Sequence, residues 1–145
     1  MKKTISILFV SVFFILSGCS FLEEANNSIN YATEGTEYIN ELSTFTEDTS
    51  SLVNEAVNNP EAQEELESKL TSLQETIKEF NTIEAPAIAE DIHKNVKEQN
   101  QKLLDVTDNV LQNGEVAVEK LKESDIYQTI ENITSLTNQI EQLGL

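Results

Sequence analysis

Residues 59–80 read NPEAQEELESKLTSLQETIKEF, and the reading of this stretch decides the fold. Leu66, Leu70, Leu73, Ile77 and Phe80 recur in steps of four, three, four and three. That is the spacing of one face of an α-helix with ~3.6 residues per turn. The start is punctuated. Asn59 suits the N-cap, where a side-chain oxygen accepts from an orphaned backbone N–H. Pro60 suits the first helical position, and Glu61, Glu64 and Glu65 bring negative charge to the positive end of the helix. The pattern predicts an amphipathic helix that buries its leucine stripe.

The same period extends on both sides. From about Phe21 to Val57, one seam runs through Leu22, Ala25, Ile29, Ala32, Thr36 and Ile39. A second runs beside it through Tyr31, Gly35, Tyr38, Leu42, Phe45, Thr49, Leu52 and Ala56. Two seams predict a wide stripe packed on two neighbours, and a helix of roughly 55 Å at ~1.5 Å per residue. The many Thr, Ser and Asn residues weaken it, so a break is expected near Glu47 to Ser51. After residue 80, Pro86 disfavours a helical residue before it and sets a boundary. Ile88, Ile92, Val96, Leu103, Val106 and Val110 form the next stripe, with polar Gln99 on the seam. Asn113-Gly114 is expected to close that helix in C-cap style. Val116 to Leu121 suits a short turn of helix. Asp125 with Gln128 resembles a capping box before Ile126, Ile130, Ile133, Thr137 (or Leu136), Ile140 and Leu143. No window shows the strict alternation of a strand. Short connections favour antiparallel neighbours. The expected fold is all-α, an elongated up-and-down bundle of three to four antiparallel helices.

The first eighteen residues differ. Lys2 and Lys3 precede an apolar run from Ile5 to Leu16, broken by Ser6 and Ser11. This is the length of a signal-peptide core, ~7–15 residues, and short of the ~20 needed to cross a membrane. Leu16-Ser17-Gly18-Cys19 then resembles the bacterial lipobox. The resemblance implies cleavage before Cys19 and a diacylglycerol thioether on its sulfur. Residues 1–18 are therefore expected to be a lipoprotein signal peptide, and residues 19–145 a lipid-anchored helical domain. One acyl chain holds marginally and two hold stably, at ~0.8 kcal/mol per buried methylene. Cys19 is the only cysteine, so no disulfide forms within the chain.

The chain carries nine basic residues, all lysine, against 26 acids, a net charge of −17. Lys2 and Lys3 belong to the leader, which leaves seven lysines and a net −19 from Cys19 onward. Nucleic-acid phosphates need Lys and Arg to neutralise them, so nucleic acid is not an expected partner. The acids read first as a solvated surface.

Little else suggests chemistry. His93 is the single histidine, with no second ligand at metal spacing, and reads as a solvent-exposed or boundary side chain. Asp105 to Gly114 (DVTDNVLQNG) evokes a calcium loop but lacks its turn glycine and closing glutamate. Glu23-Glu24 and Glu64-Glu65 are sequential and diverge on a helix. Tyr31, Tyr38 and Phe45 could offer a platform for sugar or peptide, but at helical spacing they read as core, with the tyrosine hydroxyls reaching water at its edge. No nucleophile, phosphate-loop or dinucleotide motif is present. No catalytic, metal or cofactor residue is assigned, and no cofactor is expected.

LSGCSFLEE, TEYINELSTF, NPEAQEELESKL, EFNTIEAPAIAEDIH and the ending QIEQLG resemble an uncharacterised family of small lipoproteins from Bacillus-like, low-GC Gram-positive bacteria. The resemblance spans the chain and implies location and architecture, with no functional residues. The expected protein is a non-enzymatic binding or scaffolding bundle on the outer face of the cytoplasmic membrane. Membrane lipid holds it through Cys19, and an envelope protein is the candidate partner. The alternative is a lipoprotein that takes a ligand or metal in its bundle core. A third reading is a hydrolase accessory with an unrecognised carboxylate site.

Overall fold

The computed structural model describes residues 2–112 and 115–142, with side chains from residue 26 onward except that of Glu141. Helix α1 spans Lys2–Glu55, α2 Pro60–Thr82 and α3 Glu90–Val110, the last preceded by a 3₁₀ turn at Ala87–Ala89. A two-residue hairpin, β1 Leu111–Gln112 and β2 Glu115–Val116, leads to α4 Val118–Lys122 and α5 Ile126–Gln142. The protein is all-α apart from that hairpin.

Helix α2 forms as its sequence requires. The Asn59 side chain accepts from the Glu61 N–H at 3.1 Å, and Pro60 opens the helix. Ala62, Leu66, Leu70, Leu73, Ile77 and Phe80 are its buried residues. Pro86 falls at the expected boundary, in the connection between α2 and α3.

Side-chain pairs fix how the helices run. Asp48 meets Lys69 and Tyr38 stacks on Phe80, so numbers rise on α1 as they fall on α2. Gln74 meets Thr107 and Asn81 meets Asn100, so α2 and α3 are antiparallel. Thr49 meets Tyr127, and Gly35 faces Thr137 and Ile140, so α1 and α5 are antiparallel. Helix α1 packs on α2 and α5, and α3 packs on the same two. The four long helices close an up-and-down ring, with α1 and α3 parallel at opposite corners. Leu42, Leu66, Leu70, Ile77, Leu103, Leu121, Ile126 and Ile133 are fully buried inside it. Each such side chain contributes ~1.5–3 kcal/mol relative to exposure.

Several expectations need correction. Helix α1 begins at Lys2 rather than near Phe21, so its backbone is helical through Cys19. Helix propagation is cooperative, and Gly18 alone costs only about 1 kcal/mol. The break near Glu47 to Ser51 is absent. Thr44, Thr46, Thr49 and Ser50 each donate to the carbonyl four residues back, so these hydroxyls do not compete for the backbone elsewhere. Of the two α1 seams, the one from Tyr31 to Ala56 is buried throughout. The other is not a core seam: Ile29 is 56% exposed, Thr36 is exposed, and Ala32 and Ile39 are half-buried. Leu22 and Ala25 lie outside the described side chains.

Helix α3 is turned from its expected face. Ile88 is 57% exposed, Ile92, Gln99 and Val106 are half-buried, and His93, Asn100 and Thr107 enter the core beside Val96, Leu103 and Val110. Helix α3 also ends at Val110 with Leu111 as its cap, so Asn113-Gly114 does not adjoin it; those two residues lie outside the described ones. The hairpin pairs Leu111 with Val116 and Gln112 with Glu115, and Glu67 of α2 accepts from the Val116 N–H at 2.9 Å. On α5, Ile126, Ile130, Ile133, Thr137 and Ile140 are buried as expected, and Leu143 lies outside the described residues.

Candidate functional site

The residues with chemical capability converge on the core between α1 and α3. His93, Asn100 and Thr107 follow one another at seven-residue steps, as do Tyr31, Tyr38 and Phe45. Seven residues are nearly two helical turns, so each set lines one face. Because α1 and α3 run parallel across the ring, the first two members of each set meet in pairs. The Tyr31 hydroxyl lies 3.0 Å from His93 Nδ1. The Tyr38 hydroxyl donates to Asn100 Oδ1 at 2.6 Å, and Asn100 Nδ2 donates to Asn81 Oδ1 at 2.8 Å. One level on, Gln74 Nε2 reaches Thr107 Oγ1 at 3.0 Å and Asp108 Oδ1 at 2.7 Å. Thr49 and Tyr127 join α1 to α5 at 3.1 Å.

Phe80 of α2 organises these two pairs. Tyr38 stacks on it with centroids 4.2 Å apart and planes 11° apart. His93 lies 5.4 Å from it, and His93 meets Tyr31 edge-on at 5.5 Å and 72°. Burial pushes both tyrosine hydroxyls well above their ordinary pKa of 10; Glu34 adds to this at Tyr31, whereas at Tyr38 the bond to Asn100 partly offsets it and Glu41 adds to it. Both therefore stay protonated. Burial lowers the His93 pKa below 6.5, the Lys97 charge lowers it further, and the Ile83 carbonyl partly opposes them. His93 Nε2 has no hydrogen-bond partner among the described residues.

His93 is thus neither exposed nor at the boundary, as its sequence suggested, but 7% exposed. Its polarity hid the burial, since its partner Tyr31 lies 62 residues away. Tyr31, Tyr38 and Phe45 are core, as expected, at 1%, 3% and 7% exposure. The Tyr31 and Tyr38 hydroxyls bond inward instead of reaching water. The 105–114 stretch is no loop over its described part: Asp105 and Asp108 sit on α3 and accept from Gln101 and Gln74. Glu64 and Glu65 are exposed on α2, and Glu23-Glu24 fall outside the described side chains. Cys19 lies within α1, its side chain likewise outside them. Among the described residues no three His, Cys, Asp or Glu side chains form a metal-holding group, and no helix is long and apolar enough to cross a membrane.

The model of a family of unknown function, DUF6376, matches residues 31–143. The chain belongs to the DUF6376 family. The uncharacterized lipoprotein YybP of Bacillus subtilis (strain 168) is 36% identical over 130 residues, covering 88% of each chain. This DUF6376 chain is therefore kin to lipoproteins of Bacillus-like bacteria, as the resemblance implied. The family match takes in Tyr31, Tyr38, His93 and Asn100 and begins twelve residues after Cys19. No solved structure matches the chain.

Proposed function

We propose that this protein is a membrane-anchored lipoprotein on the extracytoplasmic face, held by lipid on Cys19, whose bundle is a non-enzymatic binding or scaffolding module for an envelope partner. The observation that carries the reading is the fate of the capable side chains. Tyr31, Tyr38, His93 and Asn100 are turned onto one another across the core, where they set helix register. Buried polar pairs of this kind specify alignment. The kinship with a Bacillus subtilis lipoprotein supports the anchor. The acidic outer faces remain for contact with a partner. A ligand or metal in the core is the weaker reading, because the groups that would face it already serve as each other's partners.

Membrane-anchored protein carrying a photo-crosslinker at exposed positions of α1, such as Glu37 or Thr44, tests this. One discrete adduct from native envelopes, absent when the protein is shed by Cys19→Ala, is the expected result. Turnover of a substrate by the purified protein, or no adduct from any exposed face, contradicts the proposal.

A further inference from the structure

Helix α1 segregates its charge. Its acids Glu34, Glu37, Glu41 and Asp48 line the groove with α2. The flank on the α5 side carries Ile29, Ala32, Thr36, Ile39, Ser43 and Thr46, with no charged residue until Glu47. These six recur in steps of three, four, three, four and three, the spacing of a coiled-coil seam. Leu22 and Ala25 continue that spacing toward Cys19 in the sequence. At ~100° per residue the seam centres about 120° round α1 from its buried stripe, with the four acids on the opposite flank. Ile29 is 56% exposed, Thr36 and Ser43 are exposed, and Ala32, Ile39 and Thr46 are half-buried. The seam is less polar than its composition suggests. The Thr36 and Thr46 hydroxyls donate to the Ala32 and Leu42 carbonyls at 2.9 and 3.0 Å, so their hydrogens are already bonded within the helix. The adjoining surface of α5 offers uncharged Thr134, Ser135 and Asn138, and Glu47 and Glu131 enter only at the end away from Cys19.

We propose that this open seam of α1 is where a second copy of the chain packs, the two α1 helices lying parallel and in register about a two-fold axis. Charge selects the partner. From Cys19 onward the chain is at −19, and two such bodies repel wherever their acidic faces meet. Along the seam they touch without opposing like charges. The pattern is also self-complementary. Ile29 and Ile39 alternate with the smaller Ala32, Thr36 and Ser43, which suits the knobs-into-holes packing of paired helices. A two-fold contact sets each seam position near its own counterpart, so the two copies of Ile29 meet and, seven residues on, the two copies of Thr36. From Ile29 to Thr46 the seam runs about 25 Å at ~1.5 Å per residue. The parallel register rests on the lipid-anchor reading. Two chains held at Cys19 in one leaflet start level, and tethering raises their effective concentration, so a short seam suffices. The acidic groove between α1 and α2 is left for a different partner.

The test places a photo-crosslinker at Ile29 or Thr36 of the full chain, with two differently tagged copies made in the same cells. Irradiation should yield an adduct holding both tags from each position. The same probe at Glu37, in the groove with α2, should yield at least about tenfold less of it. Ile29→Glu sets like charges against each other across the two-fold axis, so the two-tag adduct from Thr36 should fall at least about tenfold. Ile29 is more than half exposed, and its replacement leaves the core intact. Absence of the two-tag adduct at either position, an adduct there with another protein or with lipid alone, a yield from Glu37 equal to that from Ile29, or indifference to Ile29→Glu overturns the proposal. Whether the chain sediments with membranes judges the anchor separately: a soluble chain counts against the anchor, while the two-tag adduct, scored in either fraction, decides the pairing.

Discussion

Replacing Asn100 by leucine removes the acceptor of the Tyr38 hydroxyl while keeping the side chain's approximate size. Asn100 is fully buried and Tyr38 is 3% exposed, so the hydroxyl cannot turn to water. An orphaned buried donor costs about 1–3 kcal/mol. Tyr38→Phe leaves the stack on Phe80 in place and strips Asn100 Oδ1 of its donor, while Asn100 Nδ2 keeps Asn81. It should cost about 1–2 kcal/mol. The double variant leaves neither group orphaned, and Asn81 is only half-buried and can be hydrated. Replacing both partners by apolar groups is nearly neutral. The double variant should therefore be more stable than Asn100→Leu alone, with a coupling of at least about 1 kcal/mol. Urea unfolding of residues 20–145 measures all four corners of the cycle. Additive costs, within about 0.5 kcal/mol, would mean that the two side chains do not share the buried bond drawn between them and would refute the paired register.

Leu70→Ala, at the centre of the α2 stripe and fully buried, should destabilise by about 2–5 kcal/mol; an unchanged thermal melt contradicts the core. At Gly35 a Cβ would sit 3.3 Å from Thr137 Cγ2 and 3.7 Å from Ile140 Cδ1. Gly35→Leu should therefore push α5 off α1 and cost about 1–3 kcal/mol or more. Gly35→Ala should stay within about 1 kcal/mol of the parent, because the gain in helix propensity offsets the crowding, and equal stability of the two variants by urea unfolding counts against close α1–α5 packing. Lys69–Asp48 is the one ion pair among the described residues, against a net −19 from Cys19 onward. Screening should then raise the melting temperature of residues 20–145 as sodium chloride goes from about 10 to about 200 mM, equally for potassium. A flat or falling melt would mean that the acids are better paired than this.

Residues 59–80 were legible because capping, proline placement and a single unambiguous stripe agree. Helix α1 was less so: Ile29 and Ala32 compete with Tyr31 and Gly35 at the same period, and only the neighbours α2 and α5 decide which seam is covered. On α3 the apolar count pointed to Ile88, Ile92 and Val106. The winning face carries His93, Asn100 and Thr107, whose burial depends on partners such as Tyr31, Tyr38 and Gln74, supplied by other helices. The matched seven-residue steps on the two helices were the available signal. The hairpin strands are two residues each, too short for alternation to mark them in the sequence. The expectation of an anchor at Cys19 rests on residues 1–19 alone and makes no use of packing.

The most direct test of the account is the mass of the N-terminal peptide from protein extracted from membranes of its own cells. The account predicts a chain that begins at Cys19 and carries a diacylglycerol thioether on that residue, absent in Cys19→Ala. A chain that retains residues 1–18, or one that begins at or before residue 19 with an unmodified Cys19, would contradict it.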